Sequence, residues 1–181
     1  MLVEPEPTTL VALTNCADRT MLVSAKVTEG LLSYDFDLAP LPQLATGWSV
    51  SGDGLRLTFE LRQGVRWHDG HPFTSADVAF SIRVLKEIHP RGRATFAALA
   101  EVQTPDPHTA IFVLSKPAPF ILSALAACES PIVPKHLYDG ADPATNGNAP
   151  IGTGPFLFKE WVRGSHIVYE RNPDYWDAPK P

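Results

Sequence analysis

The chain has 181 residues, of which 44% are hydrophobic and 19% charged, and its formal net charge is −5. That length holds one sizeable core or two small ones, and that composition argues against chain-wide disorder. No run of Lys or Arg supplies the basic stripe that phosphate backbones require, so nucleic acid is not an expected partner; the longest apolar run, "FILSALAAC" over residues 120–128, is far short of the roughly 20 residues that span a bilayer.

The N-terminal "MLVEPEPTTLVALTN" has neither a basic start nor a continuous apolar stretch, so no signal peptide is expected within this sequence. "LVALT" reads as a strand, "NCADRT" as a polar loop, and "MLVSAKVTEGLL" as a helix with Leu22, Ala25 and Glu29 at helical spacing and Gly30 placed to end it. Cys16 and Cys128 lie far apart and show no Cys-x-x-Cys or Cys/His spacing, so two free thiols are expected unless the fold brings them together. The proline-rich "SYDFDLAPLPQLATGWSV" reads as extended. "LRLTFEL" then alternates, with Leu55, Leu57, Phe59 and Leu61 on one face and Arg56, Thr58 and Glu60 on the other, which is a half-buried strand. "VRW" reads as a second short strand.

"HDGHP" follows, and its two histidines and an aspartate raise the question of a metal or acid/base site. Asp69-Gly70 is a tight-turn dipeptide and Pro72 fixes the exit. Thr74 and Asp77 stand in the capping relation of a helix start, and Val78, Ile82 and Leu85, flanked by Phe80, Val84 and Ile88, define a broad buried face beyond it. His68 and His71 lie three apart across a turn with no apparent third ligand, so they read as exposed turn histidines and no metal is expected. Two hairpins complete the chain: "ALAEVQ", the turn "TPDPH" and "TAIFVL"; then "PFLFKEW", the turn "VRGS" and "HIVYE". "TAIFVL" reads as a central strand buried on both faces. Pattern alone thus indicates an α+β fold with antiparallel pairing.

No catalytic set emerges, and the chain is not expected to be an enzyme or to hold a cofactor. "IGTGP" is a poor phosphate cradle because Pro155 removes an amide donor and no Lys follows. Cys128-Glu129-Ser130 has no histidine in motif context. The alternative to a small-molecule receptor is a non-catalytic interaction module docking through exposed hairpin edges.

The order of these pieces resembles the family 5 extracellular solute-binding proteins, the oligopeptide-, dipeptide- and nickel-binding components of bacterial ABC importers. The residues that carry the resemblance are Leu44, Ala45, Trp48, Asp53-Gly54, the run from Phe59 to Val65, the run from Trp67 to Gly70, Pro72, Thr74 and Asp77-Val78. "VTEGLLSYD", "PIVPKHLY" and "NAPIGTGPFLFKEWVRGSHIVYERNPDYW" extend it toward both ends. The resemblance implies the N-terminal portion of a periplasmic binding protein-like fold (type II, three-domain class), with residues 1–40 and 151–181 belonging to a larger lobe, residues 41–150 forming an inserted α+β subdomain, and a C-terminal lobe absent.

It also implies a receptor that passes a small solute, most often a peptide, to an ABC permease in the membrane, working in the periplasm or lipid-anchored outside the cell. The substrate-binding residues it implies are Asn15, Cys16, Ala17 and Asp18 in the loop after the first strand, and Phe96. With its companion lobe missing, the chain is expected to bind solute weakly and to be able to form a dimer through the aromatic-rich residues 151–176.

Overall fold

The computed structural model describes residues 5–126 and 128–177, with the backbone alone for Ala144 and Thr145. The extreme ends of the expected lobe segments, residues 1–4 and 178–181, lie outside the described residues. The first apolar segment is buried but is not a strand. Leu10, Val11, Ala12 and Leu13 are at most 2% exposed, and their amides are satisfied one at a time: Leu10 N–H donates to the Gly147 carbonyl (2.8 Å), Val11 N–H to Thr9 Oγ1 (3.4 Å) and Ala12 N–H to Ser24 Oγ (3.0 Å). A strand needs a neighbouring backbone to pair with, and here individual acceptors take that place.

Helix α1 (Asp18–Ser24) starts earlier and ends sooner than the periodicity predicts. It buries Thr20, Val23 and Ser24, while Leu22 is 45% exposed and Ala25 also faces out. The cause lies in hydroxyl groups: Ser24 Oγ and Thr28 Oγ1 are 2.9 Å apart, and Thr28 Oγ1 also donates to the Ser24 carbonyl, so the chain turns after Ala25. Gly30 is not left-handed and ends no helix. The turn carries Glu29 off any helix face and into the interior.

Strands β1 (Leu32–Tyr34) and β2 (Pro40–Pro42) form a small antiparallel pair that crosses the expected boundary near residue 41. Beyond it lies a four-stranded antiparallel sheet of β3 (Ala45–Val50), β4 (Arg56–Leu61), β5 (Leu99–Asp106) and β6 (Thr109–Leu114), in the order β3-β4-β6-β5. Alternation in β4 and β6 puts Leu57, Phe59 and Leu61 beside Ala110, Phe112 and Leu114 on the buried face, with the Phe59 and Phe112 rings 5.0 Å apart. Strand β6 is interior, as expected, but only one of its faces is fully buried; Thr109, Ile111 and Val113 are half-covered. Helix α2 (Ser75–Ile88) packs against β5 and β6 through Val78, Ile82 and Leu85, and Ile88 at its end is exposed. "VRW" contributes one bridge, Arg66 to Pro72, rather than a strand. Short helices α3 (Gly92–Thr95), α4 (Lys135–Tyr138) and α5 (Pro143–Asn146) and a 3-10 helix (Pro119–Ala124) close the edges. Val11, Leu13, Leu31 and Leu32 share one apolar cluster with this sheet and helix.

The last hairpin, β7 (Phe156–Val162) with β8 (His166–Arg171), is a separate two-stranded sheet. Glu6 accepts from Trp161 Nε1 (2.7 Å) and from Gly164 N–H (3.2 Å) at the hairpin's tip, and two further contacts near the turn after α1 attach it to the start of the chain. Gly152 and Gly154 lie so close to the turn after α1 that an added Cβ would sit 1.8 Å and 2.7 Å from the Val27 carbonyl oxygen, and Gly154 N–H donates to that oxygen at 2.9 Å.

The second contact is the Glu29 carboxylate, 1% exposed. Oε1 accepts from Tyr175 Oη (2.8 Å) and Gln43 Nε2 (3.3 Å); Oε2 accepts from Thr153 Oγ1 (2.8 Å) and Trp176 Nε1 (2.8 Å). Burial raises its pKa above the ordinary carboxylate value, against the four donors that oppose the rise.

Two outcomes are expected in chemical denaturation. Gly152→Ala costs about 2 kcal/mol, because a methyl group is forced onto backbone, whereas Gly52→Ala, where nothing lies within 4 Å of the new Cβ, costs clearly less. Glu29→Ala costs about 3 kcal/mol by stranding buried donors. Because the folded pKa of Glu29 is raised, its contribution is complete below the ordinary carboxylate pKa of about 4.3 and declines as pH rises through the folded value. The stability gap between wild type and Glu29→Gln therefore shrinks as pH is raised toward neutrality; a gap that widens would reverse this assignment.

Candidate functional site

The loop before α1 holds the residues that the resemblance singles out, and the structure divides them. Asn15 is used locally: Nδ2 donates to Thr8 Oγ1 (2.8 Å) and Oδ1 accepts from Ala17 N–H (2.7 Å). Cys16 and Ala17 are half-buried, and Cys16 is a free thiol. Asp18 is exposed and makes no hydrogen bond or ion pair with any described residue.

Beside it are two groups that the sequence reading passed over. Arg19 Nε and Thr20 Oγ1 are buried without a hydrogen-bond partner among the described residues. A buried polar atom left unpaired costs about 1–3 kcal/mol, and Thr20 is 0% exposed, so of residues 18–20 it is the Asp18 carboxylate that is both exposed and unpaired. Nothing in the sequence beyond two adjacent charges signals the two buried groups.

Phe96 is a correction. It is 1% exposed and belongs to the apolar cluster under the central sheet, where the C-terminal end of α3 carries it inward. Its ring is covered by protein and cannot touch a solute in this conformation.

The "HDGHP" turn also departs from expectation. His68 is not an exposed turn residue. Its Nε2 lies 2.9 Å from the Gly154 carbonyl and its Nδ1 accepts from Gly152 N–H (3.3 Å), so the network assigns a neutral ring with the proton on Nε2. Burial lowers its pKa, against the pull of the Gly154 carbonyl and of Asp69. His68 is thus a tie between the turn and the Gly152–Gly154 segment.

Asp69 and His71 do face solvent, and the structure brings up the third group missing from the sequence pattern. His136, on α4, places Nε2 2.6 Å from Asp69 Oδ2; His71 Nδ1 lies 3.2 Å from Asp69 Oδ1; and the two imidazole rings are 4.2 Å apart. One ligand atom from each of the three side chains falls within 4.8 Å of the others.

Other features lack chemistry of their own. A groove of about 440 Å³ between α2 and β5 is lined by Arg83, Lys86, Glu101 and Lys135, but the Lys86 ammonium already donates to the Leu99 carbonyl (2.6 Å). Ser130 Oγ donates to the Ala124 carbonyl (2.5 Å). Burial and the neighbouring Glu129 raise the Cys128 thiol pKa, the opposite of an activated nucleophile. Cys16 and Cys128 are both free. No described helix is long and apolar enough to cross a membrane.

Comparison with known proteins gives a consistent picture. Residues 39–181 match the model of the bacterial extracellular solute-binding proteins, family 5 Middle. A probable peptide ABC transporter periplasmic-binding protein of Sinorhizobium fredii, y4tO, is 34% identical over 153 residues, 83% of this chain and 29% of the relative. Among solved structures, the oligopeptide-binding protein AppA of Bacillus subtilis in complex with a nonapeptide superimposes with a TM-score of 0.84 at 30% identity, covering 94% of this chain and 35% of AppA. NikZ of Campylobacter jejuni in complex with Ni(L-His) does so with a TM-score of 0.85 at 30% identity, covering 96% of this chain and 35% of NikZ. The chain spans only about a third of the length of such proteins. Within that span, helices and antiparallel sheets follow the periplasmic binding protein fold, and the chain belongs to the bacterial extracellular solute-binding proteins of family 5.

Proposed function

We propose that this chain forms the N-terminal part of a non-enzymatic receptor that captures a small solute, a peptide or a related polar molecule, and delivers it to an ABC permease from the periplasm or from a lipid anchor outside the cell. The observation that carries the reading is the family match over residues 39–181 combined with an exposed, unpaired Asp18 carboxylate where the loop of residues 15–17 enters α1. Residues 15–18 are the solute-facing part of the chain, and Arg19 joins them. A peptide is zwitterionic, so the exposed Asp18 carboxylate and the half-buried Arg19 beside it offer a counter-charge to each of its termini. Residues 5–40 and 151–177 belong to a larger lobe and residues 41–150 to a subdomain inserted in it. The relatives' cargo supports the substrate class: AppA was solved with a nonapeptide and NikZ with a nickel–histidine complex.

Thermal unfolding of the full-length receptor in the presence of a dipeptide and oligopeptide library tests this. A cognate ligand at a hundred times its Kd stabilises by about 2.7 kcal/mol, whereas a protein-docking module does not respond to small solutes. Asp18→Ala and Arg19→Ala in the full-length receptor each weaken the cognate ligand at least about tenfold, or roughly 1.4 kcal/mol, by calorimetry; unchanged affinity in both removes this loop from the site.

The chain on its own is expected to bind the same ligand at least about a hundredfold more weakly, since a ligand held from one side still loses its translational and rotational freedom. Phe156 and Val162 are 37% and 43% exposed on opposite faces of the β7–β8 hairpin, and the face that carries Val162 pairs two copies of the isolated chain. Sedimentation should show a dimer that Val162→Glu returns to monomer.

A further inference from the structure

Outside the proposed solute loop, one cluster combines ligand chemistry with a rigid frame. We propose that Asp69, His71 and His136 form a binding site for a divalent first-row transition ion of the zinc type. Two imidazoles and one carboxylate are the donor set such ions favour, and three protein ligands leave a fourth tetrahedral position for water or an exogenous group. The carboxylate already contacts both rings, at 2.6 Å from His136 Nε2 and 3.2 Å from His71 Nδ1. Ligand atoms of a tetrahedral site with bonds near 2.1 Å lie about 3.4 Å apart, so the present spread within 4.8 Å is closed by small rotations of side chains that face solvent. Two neutral imidazoles and one carboxylate would leave a bound dication with a single net positive charge.

The frame under these side chains argues that the cluster is held in place. Asp69 sits in a turn closed by Gly70 N–H donating to the Trp67 carbonyl (2.8 Å), with Gly70 at φ +89° and the Arg66–Pro72 bridge at its base. Trp67 beneath it is 2% exposed, and the His71 amide is itself held by Asp69 Oδ1 (3.2 Å). His136 arrives from elsewhere, but through a common anchor. Asp77 Oδ2 accepts Thr74 N–H (2.9 Å) at the start of α2, directly after the turn, while Asp77 Oδ1 accepts Lys135 N–H (2.9 Å) at the start of α4. One buried carboxylate therefore sets the position of both ligand-bearing segments, and a site on such supports needs little reorganisation to receive an ion.

The test is calorimetric titration of the untagged full chain, freed of metal with a chelator, with Zn2+ alone. One saturable site per chain is expected, and His71→Ala and His136→Ala each weaken it at least about tenfold, while His166→Ala on the distant hairpin leaves it unchanged. His71 is 61% exposed, so its removal should leave the fold and its circular dichroism intact even if the His136 variant unfolds. Zn2+ should also raise the melting temperature of the wild type and not that of His71→Ala. Absence of saturable heat in the wild type, or undiminished binding in folded His71→Ala, overturns the proposal.

Discussion

Four side-chain donors converge on one buried carboxylate, Glu29, and the arrangement of the chain follows from satisfying it. A carboxylate removed from water is costly unless its lone pairs are met, and no single neighbouring segment can meet them. The donors come from Gln43 ahead of the central sheet, from Thr153 ahead of the last hairpin, and from Tyr175 and Trp176 after it. The requirement therefore draws together stretches of chain more than a hundred residues apart. The Arg62 guanidinium lies 4.1 Å from the Trp176 ring centre and joins the end of β4 to the same knot. The Tyr175 hydroxyl, committed to Glu29, is pushed to a much higher pKa by burial and by the carboxylate it serves.

Backbone packing reinforces the same junction. Two glycines let residues 152–154 lie directly on the Val27 carbonyl, and His68 then fastens the "HDGHP" turn to them by two ring contacts. The first turn after α1, the turn ahead of α2 and the entry to β7 thus meet at one place. Motion of the last hairpin relative to the sheet must break this group of contacts together rather than one at a time.

Asp77 plays the corresponding role on the other side of the turn, holding the starts of α2 and α4 on one carboxylate. The loop of residues 15–17 and the start of α1 have no comparable clasp beyond Asn15, and the Asp18 carboxylate there is exposed and unpaired.

Local rules made much of this legible. The alternation of β4, the Thr74–Asp77 helix start, the Asp69-Gly70 turn and both late hairpins could be read because each depends on neighbours within a few residues, and the family pattern could be read because it strings such local signals in a fixed order. What failed was non-local. "LVALT" has strand composition, yet strandness is decided by a partner backbone. The predicted helix after it was cut short by the Ser24–Thr28 hydroxyl pair. Phe96 was read as a surface contact and is core, because burial depends on what packs above it.

His68 and His71 look equivalent in sequence, three residues apart in one turn. Tertiary structure buries the first against two glycines and sets the second beside a histidine from another helix, 67 residues beyond Asp69. By itself, then, the amino-acid sequence determined the elements that rest on close neighbours, the β4 alternation, the start of α2, the Asp69-Gly70 turn and the late hairpins, and the family to which they belong. Only the packed fold decided which polar groups are consumed in holding it and which remain free to bind, because that depends on distances between residues that the chain keeps far apart.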